Sequence, residues 1–151
     1  MRSSLLAQLK LFHDRLLAHL DELAAMASAD EPDRPTLSQI RWNLSRASRL
    51  RKKLIETEIL PLLLQEASPA DAARLRELQQ AITSASASSS RHVSAWTIEQ
   101  VLNDWAGYRQ ASAVIRSAMR ERIEAERRVL YPALLADTTG GSRRSLGLAD
   151  D

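Results

Sequence analysis

Apolar residues open the chain at alternating three- and four-residue steps: Leu6, Leu9, Leu16, Leu20, Leu23 and Ala27, with His13 in the same stripe. Such spacing keeps one face of a helix turned toward a partner, and it predicts an amphipathic helix over residues 3–28. A charged, proline-containing loop follows over residues 30–35. Thr36-Leu37-Ser38-Gln39 then has the spacing of a capping box, in which the Thr and Gln side chains close free backbone N–H groups. From there the period runs through Leu37, Ile40, Leu44, Ala47, Arg51, Leu54, Glu58 and Pro61, and it predicts a second helix ending near Glu66.

Ser68-Pro69-Ala70-Asp71 combines a Ser cap, Pro at the first helical position and an acid in the first turn. The third seam reads Leu75, Leu78, Ile82 and Ala85, then Ser89, His92 and Trp96. The fourth reads Ile98, Val101, Trp105, Tyr108, Ser112, Ile115, Met119, Arg122, Glu126, Val129 and Ala133. The serine-rich run and the Thr97–Gln100 capping box put the break between them at about residues 88–97; Gly107 offers a later one. Long amphipathic helices with short connections predict an all-α, up-down-up-down four-helix bundle over residues 1–136. Residues 137–151 lack periodicity and are expected to form a flexible tail.

Composition agrees with helices. The chain is 44% hydrophobic but only 4% aromatic, which favours aliphatic seams over sheets. It has no cysteine, so disulfides, thiolate metal sites and thiol nucleophiles are excluded, and a reducing, cytoplasmic setting is expected. Its 21 basic and 19 acidic residues nearly balance, which makes a nucleic-acid binder an unexpected reading. No apolar run approaches the roughly 20 residues needed to span a bilayer, so no membrane partner is expected.

The candidate chemistry lies where polar residues interrupt the seams: His13, Arg51, Glu58, Arg122 and Glu126. Charged side chains are almost never fully buried unless paired. Counting from helix ends at about 1.5 Å per residue places His13, Arg51 and Arg122 at similar depth, so the five could meet as one polar layer. The alternative puts Arg51 and Glu58 at the seam edge, reaching water, with Leu50 and Ile55 in the core.

Two segments repeat a pattern. Arg51 stands ten residues before Pro61 in RKKLIETEILPLL, and Arg122 ten before Pro132 in RIEAERRVLYPALL. This resembles the hemerythrin (HHE cation-binding) family, whose second and fourth helices each carry a His, an acid about a turn later, and a Pro stop. The resemblance extends over residues 3–136 and implies a non-haem di-iron centre held by histidines and carboxylates of all four helices, serving O₂ binding or sensing. His13 matches the first-helix histidine and Glu126 the fourth-helix acid. Arg51 and Arg122 stand where histidines should be, the second-helix acid falls on Ile55 with Glu56 one residue out of register, and the third helix offers Gln79, Thr83 and Ala87 at the matching depth. An arginine has no lone pair to give a metal, and its charge repels one.

A complete di-iron centre is therefore not expected, nor any cofactor. The expected function is that of a non-enzymatic regulatory or protein-interaction module built on the family's bundle. The alternative is an iron, oxygen or redox sensor holding iron or another divalent metal through His13, Glu56, Glu126 and His92. No glycine-rich phosphate loop or placed nucleophile suggests catalysis. A protein partner is expected, and self-association is compatible with the sequence. The candidate surface is the basic middle of the second helix, Arg41, Trp42, Arg49, Lys52 and Lys53, where an exposed Trp42 would look like an interface anchor.

Overall fold

A computed structural model describes residues 1–149, with side chains through residue 136. Among the described residues every regular element is a helix and none is a strand. The tail expected over residues 137–151 lies outside the residues whose side chains are described.

Helix α1 spans Arg2–Ala27, and its whole predicted stripe is buried, His13 included. Helix α2, Arg34–Leu54, starts ahead of the expected capping box. Asp33 takes the cap position and Pro35 the first turn, where a missing N–H costs nothing. Thr36 Oγ1 donates to Asp33 Oδ2 at 2.8 Å, and Gln39 donates to Asn43, so the box does not form.

A π-helical turn, Ile55–Ile59, joins α2 to α3, Leu60–Glu66. Pro61 has no N–H for the carbonyl of Thr57, and its ring crowds that carbonyl; the widened turn lies at this point. A π turn adds a residue to the local repeat. The seam therefore leaves Glu58 outside and buries Ile55, Ile59, Leu60 and Leu63.

Helix α4, Pro69–Ala95, begins as expected, with Ser68 Oγ accepting the Asp71 N–H at 3.1 Å. Both candidate breaks after it occur. Thr97 caps a short α5, Ile98–Asn103, by accepting the Gln100 N–H at 3.2 Å. Asp104 then opens α6, Trp105–Ala149, accepting the Gly107 N–H at 2.9 Å. A Cβ on residue 107 would stand 2.2 Å from Asp104 Oδ2, so a larger residue there would make the capping carboxylate shift.

Helix α1 packs against α2 and α6, and α4 packs on α6. The α6 seam holds through Tyr108, Ser112 and Met119, then shifts by one residue to Ile123, Leu130 and Leu134, leaving Val129 and Ala133 half-buried. A straight helix drifts about 20° per heptad against a strict seven-residue repeat, and over this length the drift moves the stripe.

The interior divides into three aliphatic or aromatic clusters. One holds Leu9, Leu54, Ile55, Ile59, Leu78, Ile82, Leu130 and Leu134. A middle one holds Leu16, Leu20, Ala47, Met119 and Ile123. The far one holds Leu23, Leu37, Ile40, Val101 and Tyr108. Among the described residues no helix is long and apolar enough to cross a membrane.

Candidate functional site: a buried polar layer

The first two clusters are separated by charge. His13 lies between Leu9 and Leu16 on α1, Arg51 between Ala47 and Leu54 on α2, and Glu126 between Ile123 and Leu130 on α6, all buried. His13 and Glu126 are 0% exposed and Arg51 3%. Each helix keeps its period through the polar residue, so the apolar neighbours on both sides hold the three side chains at one level.

Glu126 joins the others. Its Oε1 lies 2.8 Å from His13 Nε2, and its Oε2 lies 3.5 Å from Arg51 Nη1. A carboxylate oxygen only accepts, so Nε2 carries the hydrogen and donates. In the neutral imidazole His13 Nδ1 is then left to accept from the Tyr131 hydroxyl, 2.6 Å away, and the two rings meet at 5.5 Å between centroids. The imidazole is thus fixed at both nitrogens. The Arg51–Glu126 contact is a coulombic pair rather than a formed hydrogen bond, since Oε2 and Arg51 Nε have no hydrogen-bond partner among the described residues.

Arg122 borders this group instead of joining it. It is half-buried, because the shifted seam gives the interior position to Ile123. Burial holds its guanidinium below the usual arginine range, the Arg51 cation adds to that, and Glu126 opposes both. Tyr131, which sequence reasoning passed over as a flank of Pro132, is drawn in from the edge of the stripe. Burial raises its hydroxyl above the ordinary tyrosine range, Asp14 and Glu126 add to that, and Arg127 pulls the other way.

Of the five residues expected in the layer, His13, Arg51 and Glu126 are brought together, Arg122 stands beside them, and Glu58 is exposed. The edge alternative fails for Arg51, and Leu50 is an exposed residue. It holds for Glu58, with Ile55 buried in its stead.

The four residues of the metal alternative do not converge. Glu56 turns to Lys52, 3.9 Å away at the surface. His92 lies in another cluster, its ring 6.0 Å from that of Tyr108. Among the described residues no group of three or more His, Asp or Glu side chains gathers as a metal would need. The donor set in the layer has one carboxylate, one imidazole engaged at both nitrogens, and a guanidinium on the carboxylate's second oxygen. These residues do not fit the di-iron centre that the resemblance implies.

A second group gathers four residues of the third and fourth seams around an arginine expected at the surface. Tyr108, buried, meets Trp96 at 5.6 Å, Trp105 at 5.8 Å and His92, and the Arg41 guanidinium lies 5.7 Å from its ring. Arg41 also donates through Nη2 to the backbone carbonyl of Trp96, and Trp105 Nε1 donates to the Ala29 carbonyl at 3.0 Å. Burial, then the Arg41 cation, lowers the His92 imidazole below its ordinary value. Burial raises the Tyr108 hydroxyl, with Arg41, Ser112 and Arg116 opposing. Arg41 is therefore turned away from the expected basic face, and Lys52, half-buried, is engaged at its edge by Ser86 Oγ on α4, to which it donates at 3.3 Å, and by Glu56.

Comparison of the chain with protein-family models, curated proteins and solved structures finds no match in any of the three.

Proposed function

We propose that the chain is an up-down-up-down four-helix bundle of hemerythrin-like plan in which an ionic layer stands in place of the metal layer, and that it works as a regulatory or protein-interaction module in the cytoplasm. The observation that carries this reading is the buried Arg51–Glu126 pair beside His13. The cation occupies a position where the family plan would have an imidazole, and it engages the one carboxylate that could have bound a metal. Tyr131 and Glu126 together use both nitrogens of the His13 imidazole.

Such a layer suits a scaffold more than a reaction centre. Desolvating the charges offsets much of their attraction, so its net contribution to stability is about zero, while breaking it is costly. Sliding α1 along its neighbours would put His13 against leucines, so the layer favours one register. None of its groups is exposed for a substrate.

Metal analysis of protein purified without chelator tests the reading. Iron well below one equivalent, with no charge-transfer absorption in the near ultraviolet, is the expected result. Stoichiometric iron or another divalent metal would overturn it in favour of a sensor.

A further inference from the structure

The outward side of α2 carries a feature the ionic layer does not use. Trp42, Arg46, Arg49 and Lys53 follow one another at helical spacing directly opposite the buried stripe, and all are exposed. Trp42 leaves 58% of its surface open, with the Arg49 guanidinium 5.9 Å from its ring. Leu50 adds apolar surface beside them at 41% exposure. The row is about 16 Å long at the rise of an α-helix.

Its charge is uncompensated. No Asp or Glu occurs between Arg34 and Ile55. Elsewhere cations do find carboxylates: Arg2 with Glu66, Arg120 with Asp21, Arg127 with Glu124, Lys52 with Glu56. Arg46, Arg49 and Lys53 have none within ion-pair distance among the described residues. An exposed tryptophan among unpaired cations is the composition of an interface, since Trp and Arg dominate interface hot spots.

We infer that this face of α2 docks an acidic amphipathic helix of a partner protein, laid along the row with apolar residues on Trp42 and Leu50 and carboxylates toward Arg46, Arg49 and Lys53. Charge complementarity selects an anionic partner. Trp42 in the row and Leu50 beside it give a narrow, three-turn track two apolar contacts, which suits a helix with its apolar positions repeated at i, i+3/4 and i+7. A nucleic-acid strand would call for a broader basic surface than one helix flank provides. The inference rests on the interaction-module reading and supplies its partner class.

The test uses the full chain and a fluorescently labelled amphipathic peptide, about five turns long, with leucines along one face and glutamates on the other. Fluorescence anisotropy should report saturable binding that weakens at least about tenfold in Trp42→Ala, the scale of an anchor residue. Binding should be lost in the Arg46→Glu, Arg49→Glu, Lys53→Glu triple variant. All four positions face solvent, so circular dichroism and the urea midpoint of the variants should match those of the parent. Absence of peptide binding, equal binding by Trp42→Ala, or tighter binding of a short single-stranded oligonucleotide to the same face would overturn the inference. Stoichiometric metal in the purified protein would instead remove the module reading, whatever the peptide does.

Discussion

The two ends of the molecule are held by different means. At the end closed by the His13 level, aliphatic side chains from α1, the π turn, α3, α4 and α6 form one continuous cluster, capped by a carboxylate that an imidazole and a guanidinium share. At the other end a single tyrosine gathers three aromatic rings and one arginine, and that arginine bonds a backbone carbonyl. Helix α4 takes part in both and shows the contrast. Its first half buries Leu75, Leu78 and Ile82, whereas its second half, mostly Ala and Ser, buries no residue fully. One end joins charged partners inside the bundle; the other joins mainly ring surfaces.

The sharpest way to break this contrast is at Glu126. Glu126→Ala leaves Arg51 and His13 buried without the carboxylate they share, and urea denaturation should show a loss of about 3–5 kcal/mol. A loss under about 1 kcal/mol would mean that water already satisfies the layer.

A paired comparison of hydroxyls comes next. Tyr131→Phe removes the donor to His13 Nδ1 and should cost about 1 kcal/mol. Tyr108→Phe keeps every ring contact and should cost less than half of that. Equal costs would erase the distinction between the two ends.

Hydrogen exchange sharpens the comparison without substitution. Amides of α4 around Leu78 and Ile82 should exchange far more slowly than those from Ser84 to Ser90, since opening is easiest where little apolar surface is covered. Uniform protection along α4 would contradict the account.

The smallest effect concerns pH. His92 has its pKa lowered in the folded state, so below about 6.5, the unperturbed value, the unfolded chain binds the proton more readily. Stability should fall as pH drops through that region, and His92→Gln should flatten the slope. A His92 resonance titrating above its ordinary value would reverse the sign.

Much of this architecture was legible in the sequence, and its failures have identifiable causes. Helix α1 was read in full because its heptad stripe runs unbroken and its one polar member, His13, sits in phase with the leucines. The α2 stripe was correct through Leu54 and then failed at Glu58, because a π turn beside Pro61 changes the repeat and no local residue pattern announces it. Arg122 failed through accumulated helical drift, which handed its position to Ile123. Tyr131 and Arg41 were missed for another reason. Both reach their partners with long side chains from outside the stripe, and periodicity assigns residues by the position of the backbone. An aromatic residue just past Glu126, followed by Pro132, was the available signal for Tyr131.

The central claim is that Arg51 and Glu126 act as a pair inside the protein. A double-mutant cycle with Arg51→Met, Glu126→Gln and the combined variant, followed by urea denaturation, measures that coupling directly. The account predicts a coupling energy of about 1–3 kcal/mol. Effects that add to within about 0.3–0.5 kcal/mol, the behaviour of independent sites, would contradict it.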